Sequence, residues 1–184
     1  LQSVMAARGY SGATISEIAR AAGMRPGLIH YHFEDKRAIL LALVARMAEI
    51  VEARYQARLA AAANDADGKL FAFVDAHVAL GPDADTDAVA AWVAIGAEAI
   101  HQPEVQTIYA KVIADRITRL KKLFSDCLRV RDRSARGAGE MAAALTCAIE
   151  GTFQIASAAP GALPTGSAAR ALKAMAIGLL ADTP

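Results

Sequence analysis

The chain has 184 residues, of which 55% are hydrophobic, 5% aromatic and 21% charged, and its formal net charge is +1. This length fits one ordinary domain, or a small domain joined to a medium one. No apolar run approaches about 18 residues, so no membrane span is predicted, and no export signal is recognised at the start. The cysteines, Cys127 and Cys147, lack metal-ligand spacing, so we expect a reduced, cytoplasmic protein.

The near-zero net charge conceals three regions of different sign. Residues 1–37 carry five basic and three acidic side chains, and residues 64–110 carry eight acidic side chains against Lys69 alone. Residues 111–136 carry nine basic and three acidic side chains. The mildly basic first region fits contact with DNA. The basic region at 111–136 has two interpretations, a nucleic-acid surface or a solvated helix face followed by a basic linker, and the second is favoured.

Alanine makes up the surplus of apolar residues, which favours helices, and no stretch alternates as a strand would. The sequence therefore predicts an all-α fold. Its first helix is expected to begin before Leu1 and to end at Arg8-Gly9-Tyr10. The next helix begins at a capping box, in which Thr14 and Glu17 each bond the other's backbone amide. Gly23 suits the left-handed residue that follows a helix, so we expect this helix to end there.

A second short helix is predicted from Pro26 to Phe33. Proline fits its first position, because the fixed φ of proline is helical and its missing N–H would be unpaired there anyway. Ile29 and Phe33 share one face of this helix. Two short helices joined by a glycine turn form a helix-turn-helix, whose second helix lies in the major groove of DNA.

This segment is similar to the signature of the TetR family of one-component repressors, which runs roughly G-x-L-Y-x-H-F-x-x-K-x-x-L. The resemblance is carried by Gly27, Ile29-His30-Tyr31-His32-Phe33, Lys36 and Leu40. At His30 the family usually has tyrosine. The resemblance implies a ligand-responsive repressor that binds a palindromic operator as a homodimer and is released by a small-molecule effector. It also implies a three-helix DNA-binding head at 1–37 and a helical ligand-binding and dimerisation domain at 38–184.

The candidate DNA-contacting residues lie at the two helix starts and along the second helix. Hydroxyl, imidazole and ammonium groups suit phosphate oxygens, as do the amides at a helix start. Arg25, at the leading end of the second helix, has the donors to bind a guanine edge, with a phosphate or Glu34 as the alternative partner. Partial packing is the alternative for Tyr31 and His32. The predicted set is Thr14, Ser16, Arg25, Pro26, Gly27, His30, Tyr31, His32 and Lys36.

The remaining helices are predicted from apolar spacing and from Gly, Pro and Asp breaks. The spans are about 36–63, 70–80 closed by Gly81-Pro82, 87–100, 103–129, 140–159 and 167–181. The last two helices have small and apolar residues on more than one face. We therefore expect them to form a four-helix bundle between two subunits, with two ordinary core helices as the alternative. An arginine at Leu172 or Met175 is expected to break this homodimer interface at 140–181.

The candidate ligand-binding residues of the second domain are Phe73, His77, Trp92, Glu98, Tyr109, Glu150 and Phe153. Glu150 has apolar neighbours in sequence, and a buried carboxylate needs a partner. That partner is either a cationic ligand, with Trp92 offering a cation–π face, or an internal arginine such as Arg116 or Arg119, and simple exposure of Glu150 is the further alternative. The sequences WVAIGAEAIHQPEVQ and AIEGTFQIA also make this domain similar to the choline-sensing BetI-type repressors.

Glu98-x-x-His101 has the spacing of a di-iron helix motif, but no second copy occurs, so we predict no metal site and no cofactor. No G-x-S-x-G, P-loop, G-x-G-x-x-G or H-E-x-x-H motif occurs, so a catalytic role has no motif behind it. The sequence therefore predicts a DNA-binding repressor and not an enzyme. The alternative is a helical small-molecule-binding protein or enzyme with a vestigial DNA-binding head.

Overall fold

The computed structural model describes residues 2–78 and 85–181, and over these ranges it contains nine α-helices and no β-strand. The helices are α1 (Gln2–Gly12), α2 (Ile15–Ala21), α3 (Pro26–His32), α4 (Lys36–Ala61), α5 (Ala66–His77), α6 (Thr86–Ala99), α7 (Pro103–Arg129), α8 (Ala138–Ala158) and α9 (Ser167–Ala181). The all-α prediction is therefore confirmed. In these ranges no helix is both long and apolar enough to cross a membrane.

The start of α2 is fixed by the predicted capping box. The Glu17 amide donates to Thr14 Oγ1 at 3.2 Å, and the Thr14 amide donates to Glu17 Oε2 at 3.2 Å. Upstream, α1 is kinked at Gly9, whose φ of 67° is left-handed, and then continues for one more turn to Gly12. The helix therefore bends where it was predicted to end, and its last turn extends two residues beyond the predicted end at Tyr10.

The turn between α2 and α3 is built on Gly23, whose φ is 65°. The Met24 amide donates to the Ala19 carbonyl at 2.8 Å, and the Gly23 amide donates to the Arg20 carbonyl at 3.1 Å, as in a Schellman motif. Pro26 then occupies the first turn of α3, as predicted. These local bonds fix how α3 leaves the turn.

Acidic side chains cap three of the later helices. Asp35 Oδ1 accepts from the Ala38 amide at 2.7 Å and so caps the start of α4. Asp65 and Asp85 cap α5 and α6 through the amides three residues on, at 2.6 and 3.0 Å. The break predicted at Gly81-Pro82 lies outside the described residues.

The chain divides into two compact units, one formed by Leu1–Ile50 with Asp85–Lys111 and the other by Val51–Ala84 with Val112–Pro184. We call them unit 1 and unit 2. Unit 1 contains α1, α2, α3 and α6, with the beginnings of α4 and α7, and α1 packs against α6. The sequence prediction had separated α6 from the head. The head boundary at residue 37 remains a prediction about the DNA-binding domain, whereas the compact unit extends further along the chain.

The core of unit 2 is lined by large apolar side chains from α5, α7, α8 and α9. The fully buried ones include Phe73, Phe124, Leu145 and Ile149. Within this unit α8 packs against α9, and α9 packs against α5. Leu172 is buried inside the subunit, so an arginine there would disrupt the subunit's own core, and it is a poor probe of any interface.

The exposed surfaces of α8 and α9 consist largely of small and apolar residues. On α8 these are Cys147, Ile155 and Ala158, with Glu140 and Gln154 also exposed, and on α9 they are Ala171, Ala174, Ile177, Gly178 and Ala181, with Arg170 also exposed. On α9 these positions repeat every three or four residues, and on α8 Ile155 and Ala158 are three residues apart with Cys147 about two turns earlier, so each set forms one stripe along its helix. Ile155 and Ile177 are 44% and 51% exposed. We call these two stripes together the α8–α9 face.

Candidate functional site

Helix α3 presents nearly all its side chains to solvent. Ile29 is its only buried residue, and it anchors the helix to the rest of unit 1. Tyr31 is 82% exposed and meets the His32 ring edge to face, so the structure does not support partial packing of these two rings. Eight of the nine predicted DNA-contacting residues, all except Lys36, are exposed. The helix is thus held by one apolar side chain and displays a polar, aromatic face.

Arg25 immediately precedes α3 in extended conformation, and its side chain makes no cap hydrogen bond. Across residues 2–78 and 85–181 no ion pair involves Arg25, so its guanidinium projects without a protein partner from the leading end of the helix. A β-carbon added at Gly27 would meet no atom within 4 Å. The space beside Arg25 is therefore open to a large partner.

Leu28 is a further residue of this surface that the sequence reasoning did not include. It is an apolar side chain, yet it is 45% exposed on α3. An exposed leucine on a recognition helix has the chemistry to contact the methyl group of a thymine. Its position next to Ile29 could have indicated its exposure, because a short helix that buries one apolar side chain cannot bury the neighbouring residue as well.

Lys36 lies half-buried at the start of α4, and its ammonium group is directed into unit 1. Lys36 Nζ donates to the Ser11 carbonyl at 3.3 Å and lies 4.2 Å from the centroid of the Tyr10 ring. Burial lowers the pKa of Lys36, and burial together with Glu104 raises the pKa of Tyr10. In the free protein this ammonium group therefore joins the end of α1 to the start of α4. An open cavity of about 340 Å³ lies beside this contact.

Glu98 lies in the same part of unit 1, at the contact between α6 and α1. Its carboxylate accepts from Ser11 Oγ at 2.6 Å and from the Gln102 side-chain amide. Gln102 also donates to Ser11 Oγ at 3.1 Å. The predicted ligand-binding residue Glu98 is thus engaged in a polar network that fixes α6 on α1.

Trp92 and Tyr109, two other predicted ligand-binding residues, stack on each other within unit 1. Their ring centroids are 4.9 Å apart and their planes are 27° apart. The Tyr109 ring also passes over Gly96, where an added β-carbon would lie 3.2 Å from Tyr109 Cε2. One face of the indole is therefore covered by a tyrosine ring, and Trp92 is buried.

Unit 2 holds the other four predicted ligand-binding residues. Phe73 stacks on His77 with centroids 3.9 Å apart and meets the Tyr55 ring edge to face at 5.8 Å. Phe153 is buried on α8 and Glu150 lies one turn before it. Phe73 and His77 are thus brought together by α5, and the tyrosine that completes their cluster was not predicted.

Two arginines of α7 lie among these residues and pair with glutamates. Arg116 forms an ion pair with Glu150, which is the internal alternative predicted from the sequence. Arg119 pairs with Glu52 through both guanidinium nitrogens, at 2.5 and 3.3 Å, and lies 4.4 Å from the Tyr55 ring centroid. We call these four charged residues the unit 2 ion-pair cluster. Its formal charges cancel.

His77 is held in one neutral form beside this cluster. Nδ1 lies 2.9 Å from the Phe73 carbonyl oxygen, which can only accept, so Nδ1 carries the proton and Nε2 is left as an acceptor. Burial lowers the pKa of His77 to about 3, with a further contribution from the positive charge of Arg116. The imidazole is therefore uncharged at neutral pH.

The basic region at 111–136 is largely engaged inside unit 2. Arg131 pairs with Asp67 at 2.5 Å, and Arg133 donates to the carbonyl groups of Leu180 and Ala181 at the end of α9. With Arg116 and Arg119 paired as well, and Arg129 paired with Asp126, at least five of its nine basic side chains bind protein groups. These contacts support a structural role for the region more than a nucleic-acid surface.

The matching family models divide the chain in two. Residues 3–43 match the model for bacterial regulatory proteins of the tetR family, and residues 66–181 match the C-terminal domain of BetI-type transcriptional repressors. The HTH-type transcriptional regulator BetI of Cronobacter sakazakii is 31% identical over 98 residues, which are 53% of this chain and 48% of the relative. BetI of Serratia proteamaculans is 31% identical over 104 residues, 54% and 50% of the two chains. The match spans about half the length of these curated relatives.

Solved structures share the fold over nearly the whole chain. A transcriptional regulator from Pseudomonas aeruginosa PAO1 has a TM-score of 0.80 at 18% identity, covering 98% of this chain and 86% of the other. A transcriptional regulator from Saccharomonospora viridis, solved in complex with choline, has a TM-score of 0.74 at 22% identity, covering 98% and 91%. At such identities the likeness concerns the fold. With one family model matching residues 66–181 and a second matching residues 3–43, the chain belongs to the TetR family of bacterial regulatory proteins, with a C-terminal domain of the BetI type.

Proposed function

We propose that this protein is a DNA-binding transcriptional repressor that reads its operator with α3. The observation that carries the proposal is the exposed face of α3, which displays Arg25, Leu28 and Tyr31 while Ile29 alone is buried. A helix of seven residues held at one point and free on its other sides fits the major groove of B-DNA. The hydroxyl groups of Thr14 and Ser16 at the start of α2 are suited to the flanking phosphates.

The repressor acts as a homodimer formed through the α8–α9 face. The face carries Ile155, Ile177, four alanines and Gly178, and the small residues permit close approach of helices from a second subunit. A dimer supplies two copies of α3, and half-sites on the operator are then related by a two-fold axis at a spacing of about 34–36 Å or its multiples. The cytoplasm, where the operator lies, is the compartment of this activity.

A small-molecule effector that binds within the body releases the operator. The similar regulator solved with choline supports an effector of low molecular weight. The sequence suggested a cationic effector from Glu150 and Trp92. In the structure Glu150 pairs with Arg116, and Trp92 stacks on Tyr109. The cluster of aromatic and charged side chains in unit 2 is the proposed place of binding.

The test is selection of DNA by the full chain from a random duplex library, followed by anisotropy measurements on the selected sequence. We expect a palindromic sequence, and a loss of affinity of at least about tenfold for Tyr31→Ala. Lys69→Ala, which alters an exposed residue of α5, is the control variant and should bind as the wild type does. Failure to enrich any sequence would overturn the DNA-binding proposal and favour a helical ligand-binding protein or enzyme with a vestigial head.

A further inference from the structure

We propose that the exposed side of α3 recognises a thymine through its 5-methyl group, which enters an apolar notch formed by Gly27, Leu28 and Tyr31. The inference rests on the proposed DNA-binding function and names a base that the helix selects. Hydrogen bonds read the polar groups of the major groove, whereas the thymine methyl group is read by apolar contact. Leu28 can supply such a contact, since its side chain is apolar and 45% exposed.

The three residues of this notch are neighbours on one side of α3. Gly27 and Tyr31 are four residues apart and Leu28 and Tyr31 are three apart, so each pair is adjacent on the helix surface. Ile29 is the buried residue of α3 and defines its inward side. With about 100° of rotation per residue, Gly27 and Tyr31 each lie about 160° from Ile29, and Leu28 lies about 100° from it. The notch therefore faces away from the anchor of the helix.

Gly27 leaves the bottom of the notch empty because it has no side chain. Apart from its chain neighbours, a β-carbon built at Gly27 would meet no atom within 4 Å, so the space above the backbone is open. Leu28 follows Gly27 directly and Tyr31 lies one turn later, so their side chains border this space. A thymine methyl group has the size of the missing β-carbon. One methyl group can therefore rest on the Gly27 backbone with the leucine carbons beside it.

The position of Leu28 matters more than its exposure. A single exposed leucine is common on protein surfaces, so exposure alone indicates no partner. Leu28, however, lies three residues after Arg25, at the end of the helix proposed to read a guanine. An α-helix rises about 1.5 Å per residue and base pairs are stacked about 3.4 Å apart, so the thymine is expected within about two base pairs of that guanine.

The experiment replaces thymines of the selected operator by deoxyuridine, which lacks the 5-methyl group and keeps the same hydrogen-bonding groups. Each thymine position is replaced in both half-sites at once, and the affinity of the full chain is measured by anisotropy at fixed salt. At the contacted position we expect the wild type to lose about fourfold per half-site, or about fifteenfold per dimer, as for one buried methyl group. Thymines whose methyl groups meet no apolar side chain should lose less than about twofold.

Leu28→Ala removes the leucine carbons from the notch and keeps a good helix former in α3. Its preference for thymine over uracil at the contacted position should fall from about fifteenfold to about threefold or less. Leu41→Ala is the matched control, because Leu41 is also 45% exposed but lies on α4. The control should keep the preference of about fifteenfold.

Gly27→Ala tests the notch by filling it with a methyl group of the protein. Gly27 does not have a left-handed φ, and the added β-carbon has open space, so the variant is expected to fold. Alanine also favours a helix more than glycine does. The alanine methyl group then occupies the place of the thymine methyl group. We expect this variant to bind the uracil operator more tightly than the thymine operator, which reverses the order of the wild type.

Retention of the wild-type preference by either Leu28→Ala or Gly27→Ala would overturn the notch. Equal affinity of the wild type for the thymine operator and every uracil-substituted operator would overturn it too, and this series decides the matter if a variant does not fold by circular dichroism. Failure to select any operator would overturn the proposed DNA-binding function and this inference with it. A selected operator that is insensitive to uracil would overturn methyl recognition alone, so the two failures are distinguishable.

Discussion

Lys36→Ala separates two roles for the lysine of the family signature, a contact to operator phosphate and a contact within unit 1. If Lys36 neutralises a phosphate, Lys36→Ala reduces the magnitude of the slope of log K on log salt by roughly 0.9 per subunit, or about 1.8 per dimer. Between about 50 and 200 mM salt, a fourfold change, the ratio of wild-type to variant affinity would then shrink about twelvefold.

The geometry of Lys36 in the free protein favours the second role. Its ammonium group donates to the Ser11 carbonyl at 3.3 Å and lies 4.2 Å from the Tyr10 ring centroid. A cation–π contact at a partly exposed site contributes about 0.5–2 kcal/mol, and a hydrogen bond from a charged donor contributes about 1.5 kcal/mol before screening. We therefore expect Lys36→Ala to lower the free energy of unfolding by about 1–2 kcal/mol and to leave the salt slope unchanged.

The assay is anisotropy on the selected operator at five salt concentrations, together with urea unfolding monitored by circular dichroism. Lys69→Ala removes the same charge from an exposed position of unit 2 and corrects for the change in net charge. If the magnitude of the salt slope falls by about 1.8 for Lys36→Ala and does not fall for Lys69→Ala, the role within unit 1 is refuted and Lys36 contacts phosphate.

Three further predictions concern the base contact, the interface and the pH dependence of stability. Arg25→Ala should lose about 1–3 kcal/mol per half-site only on operators that carry the contacted guanine, and uniform loss over single-base variants would exclude base readout. Ile177→Asp should give a monomer in sedimentation and expose Cys147 to faster maleimide labelling, whereas Ile177→Ala should remain dimeric; equal labelling rates would exclude this face. His77 has a folded pKa of about 3 against 6.5 unfolded, so the unfolded chain binds more protons between these values and stability falls as pH falls below 6.5. The loss from pH 7 to 5 should be about 2 kcal/mol, and His77→Gln should lack it; equal losses in both proteins would contradict the assignment.

Local structure in unit 1 was predictable because the bonds that fix it join near neighbours in the sequence. The capping box at Thr14, the turn at Gly23 and the Asp35 cap all use groups within five residues of one another. Spacing alone therefore identifies the donor, the acceptor and the turn. The same spacing placed Ile29 on the apolar face of α3, but it did not identify Leu28 as part of the exposed surface.

Contacts between distant segments could not be predicted in the same way. The sequence did not decide whether the Glu150 carboxylate pairs with a ligand, with Arg116 or with Arg119, because its partner depends on which turn of α7 faces α8. The contact of the Lys36 amine with the Ser11 carbonyl was not predicted, since nothing nearby in the sequence marks that carbonyl as its acceptor. On α9 both faces are apolar, so the pattern did not show that Leu172 is turned inward and Ile177 outward.

The contact of Tyr109 with Gly96 determines how α6 can move against the first turns of α7 within unit 1. The ring rests on the bare backbone of Gly96 and is stacked on Trp92, one helical turn earlier. Rotation of α6 about its axis would bring the side chain of Ile95 or Ala97 toward the space that the ring occupies. Such a rotation therefore requires the Tyr109 ring to move as well. The position of α6 is thus coupled, through this one ring, to the first turns of α7.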